Sequence, residues 1–343
     1  MAMTVTAASS NDGAAWDAYV RLNRDASPYH EWVWRDLIGK TFGKETHYLQ
    51  AQRDGEICGV LPLIRLKSVL FGDFLVSLPY VTYGGILASD DEARDGLLSA
   101  AAELGKDLGV KHVELRHTSA VTGWPVRTDK VSMHLELLGN SELLWKQLGA
   151  KRRAQIKRPL REGVTCESGG LELVDDFYGV FSRKYRDLGI PVYPQRWFRS
   201  VVEALGQSSR VFICRLNDTA VAGSIVVGFR SRLEVPWAAS LRSTDRLGVN
   251  MYLYWQMLEF AEQAGFSVFD FGRCTSGSGT WRFKKQWGAE EVPLYWHYWM
   301  RDSGELPILN ADNPKYSSAV SLWRRLPLWM TNSIGPQIVK NLP

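Results

Sequence analysis

An order of segments that occurs twice, about 160 residues apart, restricts what this 343-residue chain can fold into. The first copy opens with HYLQAQ, the polar turn RDGE and ICGVLPLIRL, residues 47–66. Two β-rich runs around a turn carrying Asp54-Gly55 predict a hairpin. The second copy opens with RVFICRLNDTAVAGSIVVGF, residues 210–229, whose turn is Asn217-Asp218-Thr219. Each hairpin is followed by a strand candidate, FLVSLPY (74–80) or LEVPWAAS (233–240), and by a polar loop carrying glycine. A helix pattern comes next, EARDGLLSAAAELGKDLG or MYLYWQMLEFAEQAG, closing on Gly109 or Gly265 where a left-handed C-terminal cap is wanted. Both copies then re-enter a strand, KHVELRH (111–117) or SVFDFGR (267–273), with Glu114 and Asp270 at matching places. The repeated order predicts two related α/β modules. The chain is long enough for two cores, and 45% hydrophobic with 23% charged residues is a globular balance.

Between the copies lies SELLWKQLGAKRRAQIKRPLREG, residues 141–163, which reads as a helix that Ser141 caps and Pro159 bends or ends. From Lys146 to Arg161 it carries seven cations and no acid, with Arg153, Lys157 and Arg161 on one face. A net charge of +4 is too small for a dedicated nucleic-acid binder. The local density nevertheless suits a transfer RNA, a diphosphate-linked sugar or anionic lipid headgroups, which makes Arg153 and Lys157 candidate phosphate ligands. Two further helical segments, DDFYGVFSRKYRDLG and PQRWFRSVVEALG, follow it, joined by IPVYP.

The stretch SGSGTWRFKKQWG (276–288) sets small residues against aromatics and cations. Neither GxxxxGK[ST] nor GxGxxG is present, which disfavours nucleotide triphosphate and dinucleotide readings. Strand-like alternation would put Trp281, Phe283 and Lys285 on one face and Arg282, Lys284 and Gln286 on the other, so that one face packs and the other meets an anion. The loop LRSTDRLGVN (241–250) precedes a helix whose start could receive a phosphate, with Arg242, Arg246, Gly248 and Asn250 as candidates. Tyr83, Tyr193 and Trp237 are candidate sugar or peptide platforms. Cys58, Cys166, Cys214 and Cys274 are far apart in sequence, and His112, His117 and His134 form no metal motif, so no metal is expected. His297 in LYWHYW reads as a strand residue facing solvent or a hydrogen-bond partner. Glu114 is expected to pack or cap.

The run FDFGRCTSGSGTWRFKKQWGAEEVPLYWHY resembles the signature of the FemAB-like branch of the GNAT acyltransferases, in which a strand ending in Asp-Phe, a Gly/Ser-rich loop and Phe-Lys-x-x-Trp-Gly recur. SLPYVTYGGILA, KYRDLGIPVYP and NMYLYWQMLEFAEQAG are similar to the subgroup associated with PEP-CTERM/exosortase and exopolysaccharide systems, and the chain is also similar to CelD-type acetyltransferases. The resemblance implies a mixed α/β (α+β) fold, a tandem pair of GNAT-like domains. These are a first domain at 1–140, a basic linker helix at 141–163, a second domain at 164–310 carrying the active site, and a tail at 311–343 packing back on the first.

The resemblance also implies an N-acyltransferase acting on an amine of a cell-envelope, peptidoglycan-like or exopolysaccharide precursor. Lys284 matches the lysine at the transfer site of the family's aminoacyl transferases. Its cationic head would stabilise charge growing on the acyl oxygen, while Asp270 orients the amine or takes its proton. Arg273, Arg282 and Lys285 would then hold anionic groups of a substrate. The donor is acyl-CoA or an aminoacyl-tRNA. The family's Gln/Arg-x-x-Gly-x-Gly/Ala pattern is altered here, Asp245 and Asn250 taking its first and last places. The rival reading is a non-catalytic protein binding a polysaccharide or lipid-linked intermediate. The N-terminus shows no secretory pattern and no apolar run approaches the roughly 20 residues of a span, so cytoplasmic residence is expected. Trp323 and Leu326 beside Arg324 and Arg325 allow peripheral contact with the inner membrane face.

Overall fold

A computed structural model describes residues 3–121, 123–302, 304–307 and 317–343. The chain divides into two compact units, Met1–Val131 with Pro293–Leu309 and Lys340–Pro343, and Ser132–Val292 with Asn310–Val339.

In the first unit the chain forms β1 (Thr4–Ala7), α1 (Gly13–Leu22), α2 (Val33–Phe42), β2 (Thr46–Arg53), β3 (Glu56–Ser68), β4 (Gly72–Ser77), β5 (Leu87–Ala88), α3 (Asp91–Asp107), β6 (His112–His117) and β7 (Val126–Arg127). A strand from far along the chain, β15 (Tyr295–Met300), completes the sheet, whose order is β1-β2-β3-β4-β6-β15-β7 with β5 beside β3. Asp54 and Gly55 both take positive φ, 56° and 83°, as a two-residue hairpin turn that follows the strand twist requires. Asp90 starts α3 by accepting from the Ala93 amide at 2.9 Å, and Gly109, at φ 64°, follows its end. Ala93, Leu97 and Ala101 recur every four residues on α3 and bury against Leu61, Leu75 and Val113 of the sheet.

The second unit contains β8 (Lys130–Glu136), α4 (Ser141–Gln147), α5 (Ala150–Arg161), β9 (Thr165–Gly169), α6 (Val174–Leu188), α7 (Gln195–Leu205), β10 (Ser209–Leu216), β11 (Thr219–Phe229), β12 (Arg232–Ser240), α8 (Val249–Gln263), β13 (Val268–Thr275), α9 (Gly279–Lys285), β14 (Glu290–Pro293), α10 (Ser317–Trp323) and α11 (Leu328–Val339). Its strand order, β14-β8-β13-β12-β11-β10-β9, repeats that of the first sheet place for place. Here too the turn is two residues in the left-handed region, Asn217 and Asp218, with Thr219 already in the strand. Each sheet has a parallel pair, β4 with β6 and β12 with β13. Beyond it stands a strand from the opposite part of the sequence, β15 in the first sheet and β8 in the second.

Three expectations need correction. Residues 141–163 are two helices broken at Gly149, whose ψ of 155° is extended. They belong to the second unit and are no linker. Asn140, one residue before Ser141, supplies the cap, accepting from the amides of Glu142 and Leu143, and Pro159 sits inside the last turn of α5. The tail does not return to the first domain as a whole. Gly335 of α11 abuts the Val192 backbone so closely that a Cβ would lie 2.9 Å from its nitrogen, and Arg324 donates to the Leu188 carbonyl at the end of α6, which holds the two tail helices in the second unit. Only Lys340–Pro343 group with the first, where Tyr80 donates to the Lys340 carbonyl and Lys44 to the Asn341 side chain. His297 is a strand residue of β15, as expected, and of its two readings the hydrogen-bond partner holds: it is buried, accepts from the Val121 amide at 3.1 Å and meets His117.

Glu114 is buried in an ion pair with Arg116 at 2.8 Å and accepts from the Tyr298 hydroxyl, a packing arrangement within the first sheet. Among the described residues, no helix is long and apolar enough to cross a membrane.

Candidate functional site

Residues 276–288 are not strand-like. Gly277 turns at φ 75°, Ser278 accepts from the Trp281 amide at 3.1 Å, and α9 begins. Phe283 and Trp287, four residues apart, then lie on one helical face against Tyr254 of α8, and Trp287 also packs on Phe271 of β13. Trp281 donates to Glu291 at 2.8 Å on the other side. Helical spacing therefore puts Lys284 inward. Arg282 and Lys285 stay exposed.

Lys284 is only 4% exposed, and its ammonium donates to the carbonyls of Gly272 at 2.6 Å and Arg273 at 3.0 Å. The strand makes those oxygens available by turning away from its neighbour. The parallel ladder with β12 runs from Val268 to Asp270, and Gly272 then adopts φ 75° with the Val235 carbonyl oxygen 2.9 Å from where a Cβ would sit, so only glycine fits. Burial pushes the Lys284 ammonium down to about 8, against the nearby thiol of Cys274 and carboxylate of Asp270, which favour the cation.

Asp270 is fully buried and meets the same bend. It accepts from the Gly272 amide at 2.8 Å and the Ser132 hydroxyl at 2.6 Å, and His134 Nε2 lies 3.1 Å from its other oxygen. Sequence reasoning passed over Ser132 and His134, because they reach Asp270 only through the insertion of β8 beside β13. Arg273 is exposed at the strand end.

A cavity of about 500 Å³ opens at the start of α8. Gly248, at φ 79°, precedes the helix with no side chain to cap it, and the first turn carries no acid. The first amides of α8 thus favour an anion. Arg246, Asn250 and Thr244 contribute to the wall, with Arg158 and Gln155 of α5, Phe283 of α9 and Gln286 just after it. Asp245 is the one acid among these lining residues. The three sequence motifs, basic helix, glycine loop and Phe-Lys stretch, therefore meet at one place.

Of the phosphate candidates, Arg246, Gly248 and Asn250 line this cavity. Arg242 does not; it donates to the Asp187 carbonyl at 3.1 Å. Arg153 donates to the carbonyls of Trp145, Lys146 and Leu148 at the end of α4, and Lys157 stands over the Trp145 ring, so both serve the packing of α4 on α5. Arg158 and Gln155 take their place, three residues apart on another face of α5. Tyr83 and Trp237 are not platforms. Tyr83 is buried beside Tyr29, and Trp237 is buried against Trp197 and Phe198. Tyr193 is half-buried with its ring edge on Phe198. Among the described residues, no three His, Cys, Asp or Glu side chains gather as metal ligands.

Residues 150–285 match the acetyltransferase (GNAT) domain family. The segment begins with α5 and ends with Lys284 and Lys285, so it takes in Asp270, Lys284 and most of the cavity wall, while Ser132, His134 and Gln286 lie outside it. Among solved structures, FemX is 15% identical, with a TM-score of 0.64 over 86% of this chain and 97% of its own. A tandem GNAT protein from the clavulanic acid biosynthesis pathway is 10% identical, with a TM-score of 0.59 over 89% of this chain and 100% of its own. L-PGS from Bacillus licheniformis is 11% identical, with a TM-score of 0.56 over 92% and 98%. No curated protein matches the chain in sequence. The architecture is thus a mixed α/β tandem pair of GNAT-like domains, the second containing the match to the acetyltransferase (GNAT) domain family.

Proposed function

We propose that the protein is an N-acyltransferase that binds the phosphates of its donor at the start of α8 and transfers the acyl or aminoacyl group beside α9 to an acceptor amine. The observation that carries this reading is the convergence of uncapped helix amides, Arg158 and Arg246 on one cavity that Phe283 and Gln286, on either side of Lys284 in sequence, also line. Acyl-CoA and an aminoacyl-tRNA both present phosphate and an activated carbonyl. In either case the amine attacks that carbonyl, a C–N bond forms, the C–S or C–O bond to the donor breaks, and the amine gives up a proton. An ammonium has three N–H groups, and two of those of Lys284 meet main-chain oxygens. The third is the one assigned here to the oxyanion, a role in which comparable donors are worth roughly 3 to 4 kcal/mol. Asp270 would act on the amine through His134, with which it is paired. Arg273, Arg282 and Lys285, exposed around the same strand end, would meet anionic parts of the acceptor.

Similarity to FemX and L-PGS favours aminoacyl transfer, and the resemblance to the exopolysaccharide-associated subgroup and to CelD-type acetyltransferases favours a saccharide or envelope precursor as acceptor. The test is native mass spectrometry against acetyl-CoA, a long-chain acyl-CoA and charged transfer RNA, followed by turnover with Lys284→Ala. Binding of none of the three by the wild type would overturn the reading. The rival, a saccharide-binding protein without catalysis, needs exposed aromatic platforms, and two of its three are core residues.

A further inference from the structure

Cys166 and Cys214 are 48 positions apart in the chain but directly opposite each other in the antiparallel pair β9–β10. Facing residues in such a pair have Cα atoms about 4.5–5.5 Å apart, inside the roughly 4.4–6.8 Å span a disulfide bridges. Both side chains leave the same face of the sheet. On β10, Phe212 packs its ring on Phe260 of α8, which puts Cys214, two residues on, toward α8 as well, while Arg215 points the other way to Asp176 of α6. Cys214 is buried and Cys166, on the edge strand, is partly exposed. Burial, helped by the two thiols and the Glu259 carboxylate, pushes the Tyr252 phenol up to about 12.

We propose that Cys166 and Cys214 are a thiol pair that a low-molecular-weight disulfide closes into a cross-strand disulfide. The partly exposed Cys166 thiolate attacks the small disulfide and releases one thiol. The Cys214 thiolate then attacks the Cys166 sulfur of the mixed disulfide and releases the second. The protein loses two hydrogens and two electrons, and the small disulfide gains them as two thiols. The bond fastens the edge strand β9 to β10 on the sheet face that Phe212 packs against α8.

The experiment incubates the folded full-length chain with oxidised glutathione and then counts thiols in denaturant. Thiols are expected to fall from four to two, with no retained glutathione and with a non-reducing peptide map joining Cys166 to Cys214. Cys214→Ser should stop at a glutathione adduct on Cys166, and Cys166→Ser should keep all its remaining thiols. Four surviving thiols in the wild type, a lasting adduct there, or a bridge to Cys58 or Cys274 would each overturn the assignment. None of these outcomes depends on transfer activity.

Discussion

The Lys284 ammonium and the Gly272 carbonyl stand 2.6 Å apart, so the cation of α9 is anchored to the bend in β13 that also turns the Gly272 amide toward Asp270. One glycine thus fixes both charged groups of the candidate transfer site.

Replacing Lys284 by alanine should cost stability as well as turnover. The buried Gly272 carbonyl and the partly buried Arg273 carbonyl lose their donor, which is worth about 2–4 kcal/mol in a denaturant titration. Turnover should fall about 10²–10³-fold. Lys284→Met, which keeps most of the packing, separates the two effects: if it turns over like wild type, the lysine is structural only.

The protonation of Lys284 gives a pH signature with a definite sign. Its folded value, about 8, lies below the unfolded 10.5, so the cost of burying the cation is full below pH 8 and is relieved as pH climbs toward 10.5. Relative to Lys284→Met, the wild type should therefore gain stability across that window, while its turnover, which needs the cation, declines above about pH 8. Parallel denaturation and rate profiles check both. A rate that is flat from pH 7 to 9.5 would exclude the charged lysine from the transfer step.

Arg158 and Arg153 lie on one helix but should behave differently. Arg158→Glu, on an exposed residue of the cavity wall, should weaken donor binding about tenfold or more and shift stability by no more than about 0.5 kcal/mol. Arg153→Ala, which removes the donor to the last carbonyls of α4, should lower stability by about 1 kcal/mol and leave donor affinity unchanged. Calorimetric titration with coenzyme A and with transfer RNA, beside thermal melts, distinguishes them.

The tail helices carry apolar groups in water. Trp329 is 70% and Leu322 64% exposed, with Arg325 between them in sequence also exposed. Pelleting with vesicles rich in anionic lipid is expected, and Trp329→Ser combined with Arg325→Glu should abolish it. Equal pelleting by the double variant would rule out this surface.

Much of this was legible because it was local. Asp54-Gly55 and Asn217-Asp218 demand left-handed backbone and so mark both hairpins, and Gly109 and Gly265 mark the ends of the two corresponding helices. The seven residues of α9 were not, since a short apolar and cationic run fits either period and only the packing of Phe283 and Trp287 on α8 decides. The faces of α5 were misassigned for a related reason: a break at Gly149 rather than a continuous helix sets which arginines turn back on α4. His134 beside Asp270 had no local signal at all, because the contact spans 136 positions and exists only through strand order.

That strand order has a consequence for any attempt to divide the protein. A fragment ending near residue 140 would carry β8 without the sheet it completes and would lack β15, leaving β6 as a raw edge. The remainder would have the opposite surplus and deficit. Separately expressed halves should aggregate, and mixing them during refolding should restore what neither achieves alone. The repeated order of segments along the chain is therefore no seam along which it can be cut.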